Sequence, residues 1–261
     1  MTPLFDSHCH LQMPAFASDL PDVLERARQD GWEASVVIGM DVPSSRQAVE
    51  LAFRYEGLYA TVGMHPHDAS RLDAEALAAL RTLAKEPRVV AIGETGLDFY
   101  RNLSAPALQR KAFREQLALA AEVDLPVVIH ARQAQEETFA ILRDWSGGQP
   151  EARKPFGVLH CFAGDAALAQ AYIELGFMIS IAGNVTYPNA RKLQAAAASA
   201  PSESILVETD CPFLAPQSRR GRRCEPAHIR ETVEFIAGLR GSSVDEVAGA
   251  TAANARRLYR L

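Results

Sequence analysis

One feature constrains the fold of this chain more than any other: an eightfold alternation of short apolar runs with longer helical stretches. The apolar runs are rich in Val and Ile and are either continuous or of period two. They occupy residues 4–10, 34–40, 58–64, 89–94, 126–131, 156–162, 177–182 and 205–210. Helical spacing follows each one, at 18–29, 44–54, 73–85, 105–123, 134–145, 165–175, 189–198 and 227–239, with Asp19, Asp73 and Asp165 near helix starts. Strands that are apolar along their whole length are buried on both faces, which implies a parallel sheet covered by helices. Eight such units fit an α/β fold of the (β/α)8 TIM-barrel class, with an open doubly wound sheet as the alternative that periodicity leaves standing. Residues 243–259 read as an extra C-terminal helix, acidic at Asp245 and Glu246 and basic at Arg256, Arg257 and Arg260, as the helix dipole favours. The 261 residues allow one or two domains at about 150 residues each. No Gly-, Ser- or Pro-rich linker divides them, so 1–261 reads as one domain.

Composition narrows the function. With 48% hydrophobic and 23% charged residues the chain is neither disordered nor collagenous. A net charge of −5 excludes coating of nucleic acid by bulk electrostatics, so any such partner must be held by a local patch or by metal. Four cysteines without a CxxC pair argue against both a disulfide framework and a Cys-rich zinc site. The first residues lack the basic and apolar stretches of a signal peptide, and no run of about 18 apolar residues occurs. The expected address is the cytoplasm, with no membrane association.

The histidines are not scattered. His8 and His10 end the first strand, His65 and His67 follow the third, His130 ends the fifth and His160 the sixth. Glu94 closes the fourth strand, and Glu208 and Asp210 close the eighth. In a barrel these positions share the carboxyl-end face, where active sites lie. Residues two apart on a strand point the same way, so His8 and His10 both face inward while Cys9 faces out, and the same parity turns Cys161 and Cys211 away from the site. Four imidazoles (His8, His10, His130, His160) and two carboxylates (Glu94, Asp210) suit a pair of divalent ions in a nitrogen and oxygen environment, with Glu94 placed to bridge them. Ligand softness favours Zn, Mn or Co, whereas Mg prefers oxygen, and the identity of the metal among these four stays open.

Several segments together resemble the TatD family of metal-dependent hydrolases. They are Phe5-Asp6-Ser7-His8-Cys9-His10-Leu11, Gly63-Met64-His65-Pro66-His67, Gly93-Glu94-Thr95-Gly96-Leu97-Asp98, Val128-Ile129-His130-Ala131-Arg132, Leu159-His160-Cys161-Phe162-Ala163-Gly164 and Glu208-Thr209-Asp210-Cys211-Pro212-Phe213-Leu214. The segment from Arg220 to Pro226 and Asn254 are similar too, while Gln12 and Cys224 depart from the usual pattern. The resemblance implies a TIM-barrel deoxyribonuclease trimming DNA from the 3′ end. It further implies that His8, His10, Glu94 and Asp210 hold one ion, that Glu94, His130 and His160 hold a second, and that His65 contacts the scissile phosphate.

Charge suggests the mechanism. A phosphodiester is anionic, so a catalyst must neutralise it and generate a nucleophile at neutral pH, and two divalent ions do both. Asp210 is the expected proton acceptor beside the attacking water, with Glu94 as bridge. His65 and Arg132 are expected to contact the phosphate. Parity turns Glu208 and Asp6 inward as partners of ligating imidazoles, Glu208 toward His130, whereas Asp98 falls on a loop beyond its strand. His67 reads as a loop residue fixing the Pro66 turn, and His228 as having no chemical role. Arg219, Arg220, Arg222 and Arg223 form either a phosphate-binding patch or a solvated loop. Among Phe99, Tyr100, Phe162, Tyr187 and Phe213, one or two are expected to stack on bases of a single strand. Two other readings stand beside DNA cleavage. One is hydrolysis of a carboxylic ester or amide such as an aminoacyl-tRNA, and the other is a non-catalytic metal-stabilised binding barrel. A monomer is expected.

Overall fold

The computed structural model describes residues 2–261. Eight strands pair in sequence order, each parallel to its neighbour. They are β1 Leu4–Cys9, β2 Trp32–Val37, β3 Leu58–Val62, β4 Val89–Asp98, β5 Val127–Arg132, β6 Gly157–Leu159, β7 Phe177–Ile181 and β8 Ile205–Val207. The covering helices are α1 Leu20–Gln29, α2 Val42–Arg54, α3 Ala74–Leu83, α4 Pro106–Glu122, α5 Gln135–Ser146, α6 Ala166–Glu174, α7 Arg191–Ser199 and α8 Ile229–Arg240. Helix α9, Val244–Tyr259, follows. The sheet curls into a nearly closed (β/α)8 barrel, which removes the open-sheet alternative. Its seam lies at the carboxyl ends of β1 and β8, where Asp210 N–H donates to His8 O at 2.9 Å and His10 N–H donates to Cys211 O at 2.8 Å.

The barrel interior is largely apolar below the mouth. Phe5, Val36, Val90, Val128, Val158, Met178 and Leu206 meet there, and Ala252, Ala255, Leu258 and Tyr259 of α9 pack beneath them. Leu206 and Leu258 are 0% and 1% exposed, each contributing on the order of 2 kcal/mol by burial. The Tyr259 hydroxyl donates to Ser7 O at 3.0 Å, so its one polar atom is satisfied. Helix α9 therefore stoppers the amino-terminal end of the barrel. Ser243 caps it through a reciprocal pair with Glu246, and Asp73 and Asp165 cap α3 and α6 as the sequence suggests. Asp19 precedes α1 but makes no cap bond; its carboxylate is taken by Arg223.

The strand ends differ from the sequence reading, and at β4, β6 and β8 the difference moves a functional side chain. Strand β4 continues past Glu94 to Asp98, so Asp98 lies on the strand and not on a loop. Strands β6 and β8 stop at Leu159 and Val207, before His160 and Glu208. Beyond those ends the chain turns, and Cys161 and Asp210 take left-handed φ values of 43° and 52°.

Candidate metal centre

The centre assembles around Glu94, which is 2% exposed on β4. The Nε2 atoms of His8 and His10, at the end of β1, stand 3.2 Å apart. Glu94 Oε2 lies 3.6 and 4.0 Å from them, and Asp210 Oδ1 3.6 and 3.3 Å. The other Glu94 oxygen, Oε1, lies 2.8 Å from His130 Nδ1, 2.8 Å from His160 Nε2 and 3.3 Å from His65 Nε2. His130 Nδ1 and His160 Nε2 are themselves 3.2 Å apart. The carboxylate thus presents one oxygen to each of two imidazole groups.

These separations fit divalent cations. Donor atoms bound tetrahedrally at about 2.0–2.1 Å stand about 3.3 Å from one another, and the nitrogens and oxygens here span 2.8–4.0 Å. The His8 and His10 Nδ1 atoms are buried without hydrogen-bond partners, so no hydrogen bond commits either ring elsewhere. His130 Nε2 lies 3.2 Å from Asp98 Oδ2, so a proton held there would leave the Nδ1 lone pair for a cation at the centre. His65 differs. Its Nδ1 accepts from His67 N–H at 3.1 Å, so its proton sits on Nε2 and the ring faces the centre as a donor.

Electrostatics follow from burial and crowding. Burial raises the Glu94 carboxyl, but the surrounding imidazoles, His160 and His65 foremost, override it and hold the group well below the usual carboxylate range. Burial and the neighbouring His160 push His8 well below the usual imidazole value. For His160 burial acts in the same sense, yet Glu94 and Glu208 lift it well above. His10 and His130 are raised as well, burial being outweighed by their carboxylate contacts, so a cation bound here would displace protons from rings gathered around one ionised carboxylate.

The barrel thus brings together His8, His10, His65, Glu94, His130, His160 and Asp210. The residues behind them differ from expectation. Asp98, fully buried, contacts His130 and also His67 Nε2 at 2.9 Å, so His67 belongs to the support of the centre and does more than fix the Pro66 turn. Glu208 does not reach His130: it accepts from Cys161 N–H at 2.6 Å and lies 3.5 Å from His160 Nδ1. Asp6 orients no imidazole. The register of β1 against β2 slips between Asp6 and Cys9, so Asp6 falls with Cys9 and Cys211 and accepts from Thr209 N–H at 2.9 Å and Thr209 Oγ1 at 2.6 Å. Burial pushes its carboxyl up to about 7. Cys9 and Cys211 are buried as expected, but Cys161 is only half-buried, because β6 has already ended.

Around the mouth, Arg132 is exposed and lies over the Tyr100 ring at 4.1 Å. The arginine run is largely committed within the protein: Arg219 pairs with Glu231, Arg223 with Asp19 and Glu225, and Arg220 lies over Tyr187, leaving Arg222 exposed. His228 Nδ1 accepts from Glu225 N–H at 3.2 Å and caps a turn. Two buried glutamines were missed in the sequence. Gln116 binds Met64 N–H at 2.7 Å and Thr95 Oγ1 at 2.7 Å, and Gln109 accepts from Asp98 N–H at 2.8 Å. They stand seven apart on one face of α4, a spacing that signals two polar groups aimed together at the barrel. Gly96 lets β4 lie close on β5: its φ is +137°, and a Cβ there would stand 2.0 Å from His130 O.

Comparison with known proteins agrees with this geometry. The family model of TatD-related DNases matches residues 5–260. The metal-dependent hydrolase YabD of Bacillus subtilis is 40% identical over 258 residues, covering 99% of each chain. A protein of Erwinia amylovora named 3′-5′ ssDNA/RNA exonuclease TatD is 41% identical over 264 residues, covering 99% of this chain and all of its own. The crystal structure of YjjV, a TatD homologue from Escherichia coli, superposes with a TM-score of 0.92 at 30% identity over 99% of this chain and 98% of its own. With the family pattern matched from end to end over a barrel of the same shape, this chain belongs to the TatD-related DNases and is a metal-dependent hydrolase of that type.

Proposed function

We propose that this chain is a deoxyribonuclease that removes nucleotides from the 3′ end of DNA, most readily from a single strand, using two divalent ions. The observation that carries the reading is the division of Glu94, with Oε2 toward His8 and His10 and Oε1 toward His130 and His160. One ion would be held by His8, His10, Glu94 and Asp210, and the other by Glu94, His130 and His160. Zn, Mn, Co and Mg are the candidate metals. Such ions supply positive charge against the phosphodiester and acidify water for attack.

The protein's own groups have separate tasks. Asp210, whose side chain is 12% exposed at the mouth, is the carboxylate placed to accept the proton of the attacking water. His65, neutral with its proton on Nε2, donates to a non-bridging phosphate oxygen in place of its present contact with Glu94. Arg132 adds charge at the rim. The enzyme is read as a single domain, active as a monomer in the cytoplasm, and the names of the exonuclease relatives support a nucleic-acid substrate. Metal-loaded protein is to be incubated with 5′-labelled single- and double-stranded oligonucleotides, with Glu94→Gln and Asp210→Asn as controls. The expected result is a ladder shortening from the 3′ end in the wild type alone. No release of nucleotides with any of the four metals would sink the reading, as would fewer than two ions per reloaded chain for the binuclear centre.

A further inference from the structure

We infer that Tyr100 and Phe213 form an aromatic clamp across the barrel mouth, holding the two nucleobases that flank the scissile phosphate. This rests on the nuclease reading and names what selects its substrate. Among the described residues, large exposed aromatic rings occur at Phe53 on the outer helix α2, at Tyr100 and at Phe213, 56%, 56% and 49% exposed. The last two both adjoin the metal centre. Tyr100 follows β4, and Phe213 follows β8. Strands four and eight of eight lie on opposite walls, so the segments that carry the two rings leave the barrel on opposite sides of the ligands supplied from β1, β5 and β6.

The backbone that carries each ring is tied to that centre by hydrogen bonds. Asp98, the partner of His130, accepts from Tyr100 N–H at 3.0 Å and from Arg101 N–H at 2.7 Å through its other oxygen. Arg132, two residues after His130, covers one face of the Tyr100 ring at 4.1 Å. A ring capped by a guanidinium on one side and open on the other is a platform for a base, and the guanidinium is left beside the phosphate that the base carries. Across the mouth, Phe213 N–H donates to Asp210 O at 2.9 Å, and the ring meets His10 edge-on, centroids 6.1 Å apart. Every base has a π face, so such a clamp selects unpaired ends without selecting sequence.

The test uses three single-stranded oligonucleotides: one intact, one with an abasic 3′-terminal residue and one abasic at the next position. Loss of one stacked base costs about 5- to 150-fold, so the wild type should cleave each abasic substrate at least about fivefold less efficiently. Tyr100→Ala should abolish the penalty at one of the two positions and Phe213→Ala at the other, whereas Tyr100→Phe and Phe213→Tyr should retain it. Quenching of 2-aminopurine placed in the last two positions, read on metal-free protein, reports stacking without catalysis. Equal cleavage of the three substrates by the wild type, or loss in both alanine variants by one common factor, overturns the clamp. Quenching without cleavage under any metal leaves the clamp and removes the nuclease reading. Cleavage with neither quenching nor base dependence does the reverse.

Discussion

Asp98→Asn is a sharp probe of how the centre is organised. The carboxylate is fully buried and serves four N–H groups: His67 Nε2 at 2.9 Å and His130 Nε2 at 3.2 Å on Oδ2, with Tyr100 N at 3.0 Å and Arg101 N at 2.7 Å on Oδ1. An amide has one acceptor oxygen. Whichever way it is turned, its NH2 faces two groups that also donate. If the oxygen stays with the backbone amides, His130 must move its proton to Nδ1, the atom directed at Glu94 and His160. If the oxygen turns to the imidazoles, the loop carrying Tyr100 loses its anchor. Groups that orient metal ligands are worth about 10- to 100-fold in metal affinity, or about 1.4–2.7 kcal/mol. The buried donors left unpaired cost about 1–3 kcal/mol of stability. At about 2–4 °C per kcal/mol for a chain of this size, the metal-free protein should melt a few degrees lower. The assays are competition against a chromophoric chelator for affinity and calorimetry of the metal-free protein for stability. A lowered melting temperature with unchanged metal affinity would refute the reasoning, since Asp98 would then be a loop anchor alone.

Four further outcomes are expected. Glu94→Gln replaces the one carboxylate shared by both imidazole groups, so metal analysis after reloading should find fewer than two ions per chain, with nuclease activity lost in parallel; two ions retained would mean that Glu94 is no bridge. Gly96→Ala combines a φ of +137° with a contact of 2.0 Å to His130 O, and should destabilise by at least about 3 kcal/mol in denaturant unfolding; a neutral result would mean that β4 and β5 are not held together at that level. Arg223→Ala removes a two-pronged pair with Asp19, at 2.9 and 2.7 Å, and should cost about 1 kcal/mol of stability while leaving the salt dependence of oligonucleotide binding unchanged. Exposed Arg222→Ala should do the opposite, reducing the slope of log affinity against log salt by about 1 with the melting temperature unmoved.

What the sequence revealed and what it concealed divide along one physical line. The barrel, its terminal helix and the set of His, Glu and Asp residues at strand ends were legible because they depend on periodicity and position, which each segment carries by itself. The partners behind the ligands were not, because parity holds only along an unbroken strand. In β1 the register slips between Asp6 and Cys9. His8 and His10 still share a direction, their Nε2 atoms 3.2 Å apart, whereas Asp6 on the other side of the slip is turned to Thr209. In β4 the register against β5 is irregular between Ile92 and Thr95, and the strand runs on to Asp98, so a residue that spacing assigned to a loop becomes the support of His130. In β6 and β8 the turns at Cys161 and Asp210 follow strands of three residues each, so Glu208 reaches Cys161 N–H and the His160 side in place of His130. The arginine run was ambiguous for a related reason: Arg223 is neutralised by Asp19, an acid 204 positions away in the chain, and nothing local marks that pairing. Irregularities of this kind concentrate where strands must deliver several polar groups to one point, because regular alternation would send half of them outward. Sequence reasoning is therefore weakest one layer behind the ligands, and Asp98 and Glu208 are where substitution best tests how far regular alternation can be trusted.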